Sequence, residues 1–131
     1  MCIVASTTFT DISDRIRLAV SVNTNVQRAS PITGIVEHAV LLGAPVDKDR
    51  TAWATARRVV SGRLVNGYSR ADYVLGVLYR LRGFLATPAG LVAVPCPGVE
   101  NINFSDIIQG HLDYIARMDD ILDMLGLHGG P

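Results

Sequence analysis

Lysine is almost missing from this chain: Lys48 stands alone, and the other basic side chains are arginines. Neither sign of charge is in excess, since Lys and Arg total 12, Asp and Glu total 12, and the pI is near 6.8. A general nucleic-acid binder clusters Lys and Arg to offset phosphate charge, so that class is excluded. Cysteine is scarce too. Cys2 and Cys96 lie far apart, with no C-x-x-C and no Cys/His spacing. Neither a zinc site nor a disulfide framework is indicated, and a reduced thiol pair in an intracellular compartment is expected. The opening MCIVASTTFTD has no basic n-region and no continuous apolar h-region, so a secretory signal is not expected. No window holds eighteen uninterrupted apolar residues. The runs Ala39–Leu42 and Tyr73–Tyr79 are core-sized, so no transmembrane segment is expected in this chain. There is no G-x-x-x-x-G-K, no G-x-G-x-x-G and no internal repeat, so no cofactor is expected.

What is present is apolar. Of the 131 residues 49% are hydrophobic and 18% charged, with a mean hydropathy of +0.30, enough to bury the core of one domain and too little chain for two. Residues 1–34 are ambiguous: Ile16, Leu18, Val20 and Val22 alternate as in a half-buried strand, while Ile12, Ile16 and Val20 also fit a helical stripe. Thr24–Gly34 reads as a loop. From Ile35 the pattern sharpens. IVEHAVLL (35–42), closed by Gly43 and Pro45, is apolar on both faces, as a parallel strand covered on both sides must be. Asp47 or Asp49 opens a helix to about Ser61, with Trp53, Ala56 and Val60 on one face. RLVNGY (63–68) is a second strand. Ser69 starts a second helix, with Val74, Val77, Leu78 and Leu81 as its apolar stripe. A Pro/Gly-rich stretch follows, in which Leu91–Val94 is a short strand candidate. VENINF (99–104) is the last strand, and a helix over about 112–125 turns Leu112, Ile115, Leu122 and Leu125 inward before Gly126 stops it.

Strand, helix, strand, helix, strand, helix specifies an α/β fold with a parallel sheet of about three strands and flanking helices. In such sheets ligands sit beyond the carboxyl ends of the strands. Two of those loops hold catalytic-looking groups: Asp72 after the second strand and His111 after the last. A carboxylate followed by a later histidine is the order of acid and base in a nucleophile–acid–base hydrolase, where the carboxylate accepts the Nδ1 proton and fixes the imidazole tautomer. Asp106 is a rival acid in the histidine's own loop. Against this stands a purely structural reading, which the residues alone favour. Ser69-x-x-Asp72 is close to a capping box, and His111 is a helix-start residue after Gly110. His38 reads as a structural strand residue and His128 as part of the tail. Met118 and Met124 suit a helix core, and Asp119, Asp120 and Asp123 suit a solvated face. No G-x-S-x-G occurs. Neither Ser21, Ser61 nor Cys96, which lies between two prolines, sits at a convincing strand-to-helix elbow.

Four tracts carry a resemblance: GIVEHAVLLGAPV (34–46), WATARRVVSGRLVNGYSRADYVLGVLYR (53–80), AGLVAV (89–94) and VENINFSDIIQGHLDYIARMDDILDMLG (99–126). Together they resemble the carboxyl-terminal part of an α/β-hydrolase-like family that includes the transmembrane and coiled-coil domain-containing protein 4 group and its fungal relatives, a domain of unknown function. The resemblance implies a partial hydrolase-type sheet over residues 34–126, an atypical segment over 1–33 and a tail over 127–131. It implies Asp72 as acid and His111 as base of an esterase- or lipase-like triad. The elbow serine and the membrane segments of the family have no counterpart here, so the expectation is a truncated hydrolase-family chain, inactive alone. Any membrane association would follow the family. The alternative is a non-catalytic interaction module that docks through an exposed sheet edge along Ile35–Leu42, onto itself or onto a protein partner, unless Ile16–Val22 covers that edge.

Overall fold

A computed structural model describes residues 37–83 and 86–127, and residues 2–6 by their backbone. Among these residues a four-stranded, all-parallel sheet is ordered β1-β2-β3-β4: β1 (Cys2–Ser6), β2 (His38–Leu42), β3 (Leu64–Tyr68) and β4 (Val99–Asn103). The helices are α1 (Arg50–Val59), α2 (Tyr73–Leu81), α3 (Asp113–Ala116) and α4 (Met118–Leu125). The α/β class and the three core strands follow the sequence pattern. β1 is an addition to it. It pairs with β2 from Cys2 opposite His38 to Ser6 opposite Leu42, so the edge of β2 expected to be open carries a strand. Ile16–Val22, the proposed cover for that edge, lies outside the described residues. The reason for β1 is the apolar run itself: CIVA offers β-branched residues and unspent backbone groups to a buried strand.

The pleat sorts β2 and β3 into two cores. Leu41 and Leu64 face one side, where Trp53 and Val60 from α1 and its end meet Ala89, Val94 and Cys96. Val40, Leu42 and Val65 face the other, against Phe104, Ile108, Tyr114, Ile121 and Leu125. Each such aliphatic side chain removed from water contributes about 1.5–3 kcal/mol. β4 is the opposite edge. Its Glu100, Asn101 and Asn103 are exposed, and a charged, amide-rich rim of this kind discourages strand addition. Leu91–Val94 is not a strand. Asn101 holds that stretch with its side chain, accepting from Val94 N at 2.7 Å and donating to Val94 O at 3.0 Å.

The helices depart from expectation in phase. α2 begins at Tyr73, because Asp72 and not Ser69 is its N-cap. It buries Leu75 and Tyr79, while Val74, Val77, Leu78 and Leu81 are exposed. The final helix is broken at Arg117 into α3 and α4, which turns Tyr114, Ile121 and Leu125 inward and leaves Leu112, Ile115 and Met124 outside. Met118 packs against the core as expected; Met124 does not. Gly126 closes α4 in the left-handed conformation, φ 65°, where a side chain would be strained.

Candidate active site at the carboxyl end of the sheet

The two loops that follow β3 and β4 are tied together before any site residue is considered. Phe104 N donates to Tyr68 O at 2.8 Å, and Arg70 N donates to Ser105 Oγ at 3.0 Å. Ser69 is fully buried. Its hydroxyl donates to Ile108 O at 2.7 Å and accepts from Ala71 N at 3.1 Å. Ser69 therefore ties the loops together instead of capping the helix. On its other side the 68–72 loop hangs on Gly90, which accepts from Ser69 N at 3.1 Å and donates to Ala44 O at 2.9 Å. A Cβ on Gly90 would stand 2.4 Å from Gly43 C and 2.6 Å from Ala44 N, so only glycine lets the chain pass there.

This scaffold brings Asp72 and His111 together. Asp72 has no exposure, and its two carboxylate oxygens have separate duties. Oδ1 accepts from Leu75 N at 3.0 Å, capping α2; Oδ2 lies 2.7 Å from His111 Nδ1. One side chain thus both caps α2 and meets the imidazole. A carboxylate only accepts, so Nδ1 carries the proton and Nε2 keeps the basic lone pair in the neutral imidazole. The His111 turn is held from below by Asp113, whose Oδ2 accepts from Gln109 N at 2.8 Å and Gly110 N at 3.1 Å. The imidazole side chain is 16% exposed, so it is reachable from solvent while its partner is not.

Tyr114 completes the surroundings and was not singled out by the sequence. Its ring meets His111 edge-on, with centroids 6.1 Å apart and planes at 71°. It also packs against Gly43, where a Cβ would lie 2.7 Å from Tyr114 Cε2 and where φ is +57°. Among the described residues its hydroxyl has no hydrogen-bond partner. Burial, and then the Asp72 charge, push the phenol far above the ordinary tyrosine range. The only sequence signal for Tyr114 is its position three residues after His111, one turn along the helix start.

The other candidates are elsewhere. Asp106 is exposed and is not the partner of His111. His38 Nδ1 accepts from Arg63 N at 2.9 Å, a structural role. His128 and Ser21 lie outside the described residues, and nothing is described of the Cys2 side chain. Cys96 is buried, with its thiol 3.7 Å from Pro97 O. Asp119, Asp120 and Asp123 are exposed on α4, and Asp120 pairs with Arg117 at 3.2 Å. Among the described residues no three His, Cys, Asp or Glu side chains converge as metal ligands would, and no helix is long and apolar enough to cross a membrane.

Residues 21–128 match the family described as "Protein of unknown function (DUF726)". The chain is 42% identical over 95 residues to Transmembrane and coiled-coil domain-containing protein STS1 of Oryza sativa subsp. japonica, covering 72% of this chain and 14% of that protein. It is 44% identical over 94 residues to an uncharacterized membrane protein of Schizosaccharomyces pombe, covering 70% of this chain and 12% of that one. A protein named "Probable lipase MIL1", from Saccharomyces cerevisiae, is 38% identical over 96 residues, covering 72% of this chain and 9% of its own length. The chain thus spans about an eighth of the length of the first two of these relatives. No solved structure matches it. With the family match covering most of its length, this chain belongs to the DUF726 family.

Proposed function

We propose that Asp72 and His111 are the acid and base of a serine-hydrolase-type site of esterase or lipase class, and that this chain alone is catalytically silent. One observation carries the reading: a fully buried carboxylate oxygen 2.7 Å from the Nδ1 of a partly accessible imidazole, at the carboxyl end of adjacent parallel strands. In that arrangement Asp72 orients the ring and stabilises the imidazolium formed when Nε2 takes a proton from a nucleophilic hydroxyl. His111 then returns the proton to the leaving alkoxide. The relative named as a probable lipase supports the reaction class.

Silence follows from the missing elbow. A serine nucleophile needs a strained turn that presents its hydroxyl and supplies backbone N–H donors to the oxyanion. β1 ends at Ser6 and is followed in sequence by Thr7-Thr8-Phe9-Thr10, with neither glycine of G-x-S-x-G. Without the nucleophile no acyl-enzyme forms. The test combines two measurements on the purified chain. Proton NMR should show a strongly downfield His111 Nδ1 proton that disappears in Asp72→Asn. A fluorophosphonate probe should label nothing, and a short-chain nitrophenyl ester should not turn over. Absence of the downfield proton removes the acid–base reading; ester turnover abolished by His111→Ala removes the silence.

A further inference from the structure

α2 has its apolar residues on the outside. Tyr73 and Leu81 are 77% and 76% exposed, and Val74, Val77 and Leu78 are exposed as well, whereas Leu75 and Tyr79 alone are buried. At 3.6 residues per turn, Tyr73, Val77, Leu81, Val74 and Leu78 follow one another around an arc of about 140°. No polar residue interrupts that arc. A helix that is apolar nearly all round is covered by something.

The charges say by what. No Asp or Glu occurs from Tyr73 through Gly83. Exposed Arg80 borders one side of the arc, exposed Arg70 precedes the helix, and Arg82 caps its end. A second copy of this chain is a poor cover. A two-fold contact through α2 would set one arginine-bordered face against the same face of its partner. A bilayer of anionic lipid fits both features. Aliphatic side chains enter the headgroup–acyl boundary, Tyr73 lies at the interface with its hydroxyl in water, and arginines reach lipid phosphates along their apolar stems.

We propose that the outer face of α2 docks peripherally on an anionic lipid bilayer. The face starts at the candidate site. Tyr73 follows Asp72 directly, and Leu112, 77% exposed, follows His111. Docking would therefore bring the imidazole to the lipid surface, although lipid binding itself does not depend on the pair carrying chemistry.

The test is co-sedimentation of the full chain with vesicles of phosphatidylcholine alone or with phosphatidylserine added. Binding is expected to be at least about tenfold tighter to the anionic vesicles and to weaken with salt. Val77→Asp combined with Leu81→Asp should abolish pelleting. Arg70→Gln combined with Arg80→Gln should make the two vesicle types equivalent. All four positions are exposed, and retained circular dichroism would verify the fold of each variant. In Leu81→Trp, brominated lipid should quench emission that the parent chain, whose Trp53 is buried, does not lose. Failure to pellet with either vesicle, or equal binding of the parent to both, would overturn the proposal. So would a concentration-dependent dimer abolished by Val77→Asp with Leu81→Asp, which would assign the face to a protein contact. These readouts involve no hydrolysis, so they are independent of the acid–base reading.

Discussion

Asp49 and Asp72 occupy the same local position in successive strand–helix units. Each ends the loop after a parallel strand and caps the helix that follows: Asp49 Oδ2 accepts from Ala52 N at 2.9 Å, and Asp72 Oδ1 from Leu75 N at 3.0 Å. There the likeness ends. Asp49 is exposed and its carboxylate serves the cap, whereas Asp72 is wholly buried and spends its second oxygen on His111. The difference teaches that capping a helix and meeting a distant histidine are not alternatives. A cap fixes where a carboxylate is, and the neighbouring loop decides whether its other oxygen has work.

The comparison is broken most severely at Asp72. Asp72→Ala should cost about 3 kcal/mol in urea unfolding, from a lost cap of about 1 kcal/mol and a lost charge-assisted hydrogen bond of about 1.5–3 kcal/mol. Asp72→Asn, which keeps an acceptor for Leu75 N, should recover about 1 kcal/mol of that and still lose the downfield His111 proton.

The alkaline limb comes next. Burial and the Asp72 charge hold the Tyr114 phenol protonated in the folded state well beyond its ordinary range. Once pH exceeds about 10 the unfolded chain has given up a proton that the folded chain retains, so stability must fall as pH rises. The slope approaches about 1.4 kcal/mol per pH unit, and none of it applies below that pH. Tyr114→Phe should remove this part of the slope. Near neutral pH it should be neutral or stabilising by up to about 1 kcal/mol, because the buried hydroxyl has no partner among the described residues. Equilibrium unfolding from pH 7 to 11 checks both.

Asp49→Ala should cost about 1 kcal/mol, the value of an exposed cap with nothing else attached. A cost equal to that of Asp72→Ala would erase the contrast between the two aspartates. The smallest effect belongs to a pair remote from both. Arg63 donates to Glu100 at 2.7 and 3.0 Å, and this hydrogen bonding holds the Glu100 carboxyl below its ordinary value. Its stabilisation is present above about pH 4.5 and is lost as pH falls through the lowered folded value. Both partners are solvent-accessible, so Glu100→Gln should cost less than about 1 kcal/mol and flatten only that acidic limb.

The strands β2, β3 and β4 were legible because an apolar run closed by Gly or Pro has few other solutions in a short α/β chain. Asp72 and His111 were legible as loop residues after those strands, but their contact was not. β1 was missed: four apolar residues near a terminus do not announce whether they pair. The phase of α2 was misread for a physical reason. On YVLGVLYRL, periodicity favours the four-residue stripe Val74-Val77-Leu78-Leu81 over Leu75-Tyr79, and the structure buries the shorter one. Asp72 shares a face with Leu75 and Tyr79 at helical spacing, and all three are buried while the other stripe faces outward.

By itself, then, the sequence determined the parallel α/β class, the three strands, read as 35–42, 63–68 and 99–104 and formed by His38–Leu42, Leu64–Tyr68 and Val99–Asn103, and the loops that hold Asp72 and His111. These follow from local patterning, in which each residue's preference is set by its near neighbours. Only the tertiary structure decided that Asp72 meets His111, that Ser69 binds the two loops, and that α2 shows its apolar arc to the outside. Those outcomes depend on contacts between residues about forty positions apart, which no local pattern of neighbours contains.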